Sequence, residues 1–248
     1  MHRGGFLVSS AVALVALGSL ALTLATPGTG RATPSAQNPV VVELFTSQGC
    51  SSCPPANANL ATVSDQPGVL ALSFGVTYWD YLGWKDSFAK REFTSRQYNY
   101  VRTLHRATAY TPQMVVNGAS DLVGNELDGV EQAIANARAA VARQAATAIP
   151  SIAIGSGEVA VGAAMPPANP ADVWLVRYDP SIVQVPVARG ENGGRTLPHK
   201  NVVHELTRLG GWSGVAARFT IAPSPEGMKT AILVQSSLSG EIIAAASD

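Results

Sequence analysis

Cys50 and Cys53 are the only cysteines of the chain, and they share the stretch Glu43-Leu-Phe-Thr-Ser-Gln-Gly-Cys-Ser-Ser-Cys-Pro-Pro55. A disulfide closing so small a loop constrains the unfolded chain little, because the entropic gain grows with loop length. Two thiols at this spacing where a helix begins are what reversible dithiol–disulfide exchange requires. Cys50 is expected at the helix N-terminus, where unpaired N–H groups and the helix dipole favour a thiolate. Each unit of pKa depression favours that thiolate by about 1.4 kcal/mol. Cys50 therefore reads as the exposed nucleophile, and Cys53, one turn inside, as the thiol that resolves the mixed disulfide. Glu43 lies seven residues before Cys50 on an otherwise apolar strand. If buried, its carboxylate would have a raised pKa and could accept the Cys53 proton. The alternative is a solvated, edge-facing Glu.

Two further clusters carry groups that bind or react. Tyr78-Trp-Asp-Tyr-Leu-Gly-Trp-Lys-Asp86 mixes aromatics with charges. It reads either as the wall of a substrate groove or as a packed loop. As a groove wall it would have Trp79 and Trp84 as anchors and Asp80, Lys85 and Asp86 as polar contacts. Arg189, Glu191, Asn192, Arg195 and His199 crowd the stretch 188–201. They suit an ionic network, either within a long hairpin or against the first half of the chain. His199 and His204 are five apart, which fits neither one helix face nor one strand face for a metal, so structural hydrogen bonding is expected of them.

The elements that must position these residues follow from patterning. Residues 39–45 are β-branched or apolar and read as a buried strand. Residues 53–63 read as a helix with Pro54 and Pro55 in its first turn, where a missing N–H costs nothing. A turn at 65–68 and a second buried strand at 69–76 follow. The segment 87–106 looks helical. Residues 111–118 read as a strand ending in the hairpin signal Asn117-Gly118, with a return strand from 122. Residues 128–146 carry Val130, Ile134, Ala137 and Val141 at helical spacing. This order, with the cysteines at the first strand-to-helix junction, is the thioredoxin arrangement: an α/β domain with a central mixed sheet flanked by helices. In that layout the residue opening the last central strand is a cis-proline beside the cysteines. Pro112, preceded by Thr111, stands there and is expected to shape the groove where a substrate backbone pairs. After 147 the texture changes to short alternating runs at 152–154, 158–162, 173–178, 183–188, 218–222 and 230–235, separated by Gly-, Pro- and Asn-rich turns. They predict a β-rich, sandwich-like C-terminal domain. The expected division is therefore 1–36, 37–147 and 148–248.

Seventeen basic residues balance seventeen acidic ones, and 46% of residues are hydrophobic. That composition is globular, with no basic excess for nucleic acid and no acidic tail. A positive start (residues 1–5), an uncharged apolar run at 6–24 and a small-residue, turn-rich stretch read as a secretory signal. Cleavage is expected after Ala25 or Ala36; the alternative is an uncleaved anchor, because the run is long enough to span a bilayer. The rest of the chain is expected in the periplasm or secreted. In an oxidising compartment thiolate zinc sites are disfavoured, and two cysteines cannot complete a four-thiolate site. No metal and no cofactor is therefore expected.

The stretches 43–55, 78–86, 110–118 and 189–199, in this order, together resemble a bacterial family of exported thioredoxin-like proteins catalogued as a domain of unknown function. The resemblance runs from about residue 40 to the C-terminus. It implies the thioredoxin-like fold and, by analogy, redox chemistry, although fold does not fix function. In that family a His and an Asp often flank the valine before Tyr-Trp-Asp; here those positions hold Gly75 and Thr77. The leading expectation is an exported thiol–disulfide oxidoreductase. Its partners would be a thiol- or disulfide-containing protein and a second protein that resets the couple. Two other functions fit the same residues. One is a copper metallochaperone using both thiolates, since Cu(I) is soft, with His105 the nearest candidate histidine in sequence. The other is a non-catalytic envelope binding protein.

Overall fold

The chain enters its main sheet with β1 (Ala36–Gln37) and β2 (Val40–Thr46). All seven residues of β2 are buried, as a central strand covered on both faces requires. Helix α1 (Cys53–Ser64) carries the chain to β3 (Val69–Gly75), which pairs in parallel with β2. Pro54 and Pro55 occupy its first turn. A 3-10 turn at Asp80–Leu82 precedes α2 (Arg91–Thr103). Strands β4 (Gln113–Val116) and β5 (Ser120–Leu122) form an antiparallel hairpin on the other edge of β2. Asn117 and Gly118 make its turn, both at positive φ (48° and 65°). Helix α3 (Leu127–Ala142) closes the first half.

The computed structural model describes residues 1–2, 4–5 and 36–248; the apolar run at 6–24 and the candidate cleavage positions up to residue 35 lie outside the described residues. Among the described residues no helix is long and apolar enough to cross a membrane.

The second half is β-rich, as its alternation predicts: β6 (Ile152–Ile154), β7 (Glu158–Val161), β8 (Ala171–Pro186), β9 (Thr196–Trp212), β10 (Ala217–Thr220), β11 (Lys229–Ser236) and β12 (Ile242–Ser247). Four of these strands do not stand apart from the first half. The main sheet runs β1-β12-β11-β8-β9-β3-β2-β4-β5, so one sheet crosses residue 147. The halves join at two places: β1 on β12, through Ala36↔Ser247 and Gln37↔Ala246, and β9 on β3, through the parallel pair Ser73↔Val202 and the Asn201 amide, which donates to the Ala71 carbonyl (2.8 Å). The remaining three strands form a small second sheet, β10-β7-β6. Its Ile152, Val159 and Val161 share a core with Val173, Leu175, Ile232 and Val234 of the main sheet.

Two features depart from the patterned runs. The runs at 173–178 and 183–188 belong to one long strand, β8, whose ladder to β9 continues past an irregularity between Asp179 and Ile182. Pro180 sits there, where a missing N–H breaks no ladder bond. The polar stretch 196–201 is the start of β9, and 187–195 is the tip of the hairpin that β8 and β9 form.

Helices cover both faces of the first half. Leu60 and Val63 of α1 and Val130 and Ile134 of α3 pack on Val40, Val42 and Leu44. On the opposite face Phe93 and Tyr100 of α2 pack on Val41, Phe45, Leu72 and Phe74. Successive side chains of a strand alternate between faces, so Glu43 shares the α2 face with Val41 and Phe45. That placement decides its role below.

Candidate active site

The end of β2 leads through residues 47–52 into α1, with Ser52 at the N-cap. Two bonds shape the turn: the Cys50 amide donates to the Ser47 carbonyl and the Cys53 amide to the Cys50 carbonyl, both at 3.2 Å. Both thiols are free and neither residue exposes surface. Cys50 is thus not the exposed member of the pair, contrary to expectation.

The two thiols differ sharply in acidity. The Cys53 thiol donates to the Cys50 sulfur, and Ser52 and Thr111 add hydrogen bonds; together they outweigh burial and bring Cys50 down to about 6. Burial, and then the Cys50 thiolate itself, push Cys53 far up. The pair therefore holds one proton, on Cys53, at neutral pH. The reduced protein should show a thiolate ultraviolet absorbance that rises with a midpoint near pH 6. Cys50→Ser should remove this transition. A midpoint at the ordinary thiol value would contradict the assignment.

Thr111 and Trp79, both sequence candidates, meet at Cys50. The Cys50 sulfur lies 3.8 Å from the Thr111 carbonyl. The Trp79 indole N–H donates to Thr111 Oγ1 (2.7 Å), and Thr111 helps to lower the Cys50 pKa. The Thr111–Pro112 peptide is cis, as the layout predicts. Residues on either side of it are pinned. Tyr110 Oη and Gln113 Nε2 donate to Asp121 Oδ2 (2.7 and 2.8 Å), and Gln97 Nε2 donates to the Tyr110 carbonyl (2.7 Å).

Three candidates are placed elsewhere. Glu43 is buried, but both its oxygens are engaged by Arg96 (2.7 and 3.2 Å) and one also accepts from the Tyr100 hydroxyl. It sits on the α2 face and is spent on that network, so it is not the proton acceptor of Cys53. Trp84 gives its indole N–H to Gln48 Oε1 (2.9 Å). Asp80 accepts from the Asp86 amide (3.2 Å) and so shapes the 80–86 loop. Within 78–86, Trp79 lies against the core and reaches Thr111, while Trp84 and Asp80 hold the loop to itself and to Gln48.

Asp86 and Gln48 hold that loop against the cysteine turn. Asp86, buried, accepts from the amides of Gln48 (2.7 Å) and Phe88 (2.8 Å), and burial raises its pKa. Gln48 carries no patterned signal in the sequence, and its role becomes visible only in three dimensions. Gly75 stands where the sequence resemblance leads one to expect a His. A Cβ there would lie 2.8 Å from backbone atoms of Phe88 and Ala89, so this chain has no room for any side chain.

The hairpin tip packs on the same turn. Asn192, buried, donates from Nδ2 to the carbonyls of Gln48 (3.0 Å) and Cys50 (2.8 Å), and its Oδ1 accepts from Arg195 (2.7 Å). Glu191 Oε2 accepts from the Ser51 amide (2.9 Å) and hydroxyl (2.7 Å). Of the two placements expected for the 188–201 cluster, both hold: it is a hairpin, and it reaches the first half.

His199 is buried against the edge of Phe88, 5.5 Å between ring centroids, with no partner for Nε2 among the described residues, so the expected hydrogen bonding is absent at that atom. Burial lowers its pKa to about 4. The unfolded chain, titrating near 6.5, then binds more protons than the folded one between these values. Stability therefore falls as pH drops from about 6.5 to about 4, by about 3 kcal/mol in the limit. Urea unfolding of the parent and of His199→Phe across this range should show a steeper fall in the parent, the difference between the two being the His199 contribution. His105, the candidate copper ligand, is exposed just past the end of α2. Among the described residues no three His, Cys, Asp or Glu side chains gather as a metal-holding group.

A family model described as "Protein of unknown function (DUF1223)" matches residues 41–235. The crystal structure of protein AGR_C_4864 from Agrobacterium tumefaciens is similar at 32% identity and a TM-score of 0.67, covering 84% of this chain and 92% of that one. HBP35 of Porphyromonas gingivalis is similar in fold at 12% identity and a TM-score of 0.56, covering 86% of this chain and 75% of that one. No curated protein matches the chain.

Proposed function

The chain belongs to the family of proteins of unknown function described as DUF1223, and from that premise we propose that it is an exported thiol–disulfide oxidoreductase whose first half is thioredoxin-like. The observation that carries this reading is the split pair: a Cys50 stabilised as thiolate, hydrogen-bonded by a Cys53 that keeps its proton. The parallel β2–α1–β3 unit, the β4–β5 hairpin and the position of Thr111–Pro112 beside Cys50 support the fold assignment.

The exchange runs in two displacements. The Cys50 thiolate attacks one sulfur of a substrate disulfide; a Cys50–substrate S–S bond forms, the substrate bond breaks, and one substrate thiolate leaves. That thiolate takes up the Cys53 proton, directly or through water. The Cys53 thiolate then attacks the Cys50 sulfur, forming the Cys50–Cys53 disulfide and releasing the second substrate thiolate. Two electrons pass from the dithiol to the substrate, and a partner dithiol or disulfide resets the couple. Starting from the disulfide form, the same steps run in reverse.

Glutathione disulfide mixed with the reduced protein tests this directly. The reading predicts thiol release matched by formation of the Cys50–Cys53 disulfide, and none in a variant with both cysteines replaced by Ser. Equal thiol release from both proteins, or none from either, would overturn it.

A further inference from the structure

We infer that the tip of the β8–β9 hairpin, residues 189–195, is a lid over the dithiol, latched by Glu191 and Asn192, so that Cys50 is reached only when the tip lifts. The functional consequence rests on the oxidoreductase reading; the covering itself does not.

A thiolate that attacks a disulfide must come within bonding distance of a substrate sulfur, yet Cys50 exposes no surface. Something over it has to move. The wall on the Thr111 side is poorly placed to do so. It is tied into the sheet by β4 and braced by the Asp121 and Gln97 hydrogen bonds. The hairpin tip is the opposite case. Its bonds to the cysteine turn are polar: two from Asn192 to the Gln48 and Cys50 carbonyls, two from Ser51 to Glu191. Water can replace each of them at small net cost. Glu191 is itself exposed, and Gly190 and Gly194, both at positive φ (78° and 82°), bracket the tip. Gly190 rests 3.7–3.8 Å, measured from an ideal Cβ, from Gly49, Trp84 and Leu82. The tip therefore seals the turn by contact along residues 48–51 without being built into its core.

Glu191 occupies the donors of Ser51, the residue that follows the nucleophile. A substrate chain entering the groove needs that space and those donors, and the latch yields them when it opens.

The rate at which iodoacetamide alkylates Cys50 in the reduced full chain, followed by mass spectrometry, tests the lid. At about pH 8 the thiolate fraction is already saturated, so a change in rate reports access. Glu191→Ala removes both Ser51 contacts at an exposed position. It is expected to speed alkylation about tenfold, the scale of losing charge-assisted hydrogen bonds. Glu191→Gln, which keeps an acceptor oxygen, should fall between. Hydrogen exchange at the Ser51 amide should accelerate in Glu191→Ala as well. Alkylation within twofold of the parent, or an unchanged Ser51 amide, would overturn the lid. The two readings fail separately. Faster alkylation without disulfide exchange keeps the lid and removes the oxidoreductase. Exchange with equal alkylation in both proteins does the reverse.

Discussion

Cys53→Ala is expected to stop exchange halfway, leaving the substrate attached to Cys50 through a disulfide that nothing inside the protein resolves. Incubation with glutathione disulfide should give a stable adduct of one glutathione per chain, on Cys50, visible by mass spectrometry without reductant. Cys50→Ser should give no adduct and lower the exchange rate by at least about 10³-fold, because a serine hydroxyl supplies no comparable nucleophile near neutral pH and Cys53 keeps its proton. The asymmetry is the informative part. It follows from Cys50 receiving the hydrogen bond and Cys53 giving it. An adduct on Cys53 in Cys50→Ser, forming as fast as that on Cys50, would reverse the assigned roles. In Cys53→Ala the Cys50 thiolate also loses its strongest hydrogen bond, so its titration midpoint should move upward from about 6.

The second large effect concerns stability. Glu43 and Arg96 form a buried ion pair: Arg96 is 5% exposed and Glu43 not at all. Burial opposes the guanidinium's charge, but Glu43 and Tyr100 beside it outweigh that cost and keep Arg96 protonated. Arg96 also donates to Gln235 of β11 (3.1 Å) and lies over the rings of Tyr100, Trp174 and Phe74 at 5.3, 5.6 and 5.9 Å. The pair therefore joins β2, α2 and the strands of the second half at one point. Arg96→Leu leaves a carboxylate buried without its partner and should cost about 3–5 kcal/mol in urea unfolding. The double variant Glu43→Leu/Arg96→Leu should cost clearly less than the sum of the two singles, since it strands no charge. Additive costs would mean the two groups act independently.

What the sequence made legible was local. β2, α1 and β3 declare themselves by continuous apolar runs, a C-x-x-C with prolines behind it, and a turn at 65–68. Asn117-Gly118 announces the β4–β5 hairpin by turn chemistry alone. The pairing of Trp79 with Thr111 beside Cys50 was foreseeable only as proximity, because the layout brings both segments to the same end of the sheet. β9 was hidden for a physical reason. Its first residues, Thr196-Leu-Pro-His-Lys-Asn201, alternate in burial but not in hydrophobicity, since His199 is buried and polar. β12 was hidden because Ala244, Ala245 and Ala246 are too small to signal a strand, although they are fully or almost fully buried. Glu43 misled for a related reason. Burial was anticipated, but its partner Arg96 stands 53 residues away and on the other face from α1. The same holds for Asn192, which reaches the Cys50 carbonyl across 142 residues. Side chains that meet over such separations leave no periodic trace in one chain. The continuity of the sheet across residue 147 is of that kind too, resting on the β1–β12 and β3–β9 pairs and the Asn201 amide.

The reduction potential of the Cys50–Cys53 couple, measured by equilibration against glutathione and dithiothreitol, tests the central claim most directly. Catalytic exchange predicts a value within the range of known oxidoreductases, roughly −270 to −120 mV, and its place in that range says whether the protein favours giving or taking electrons. A value well below about −300 mV, where structural disulfides lie, or thiols that never pair, would contradict it.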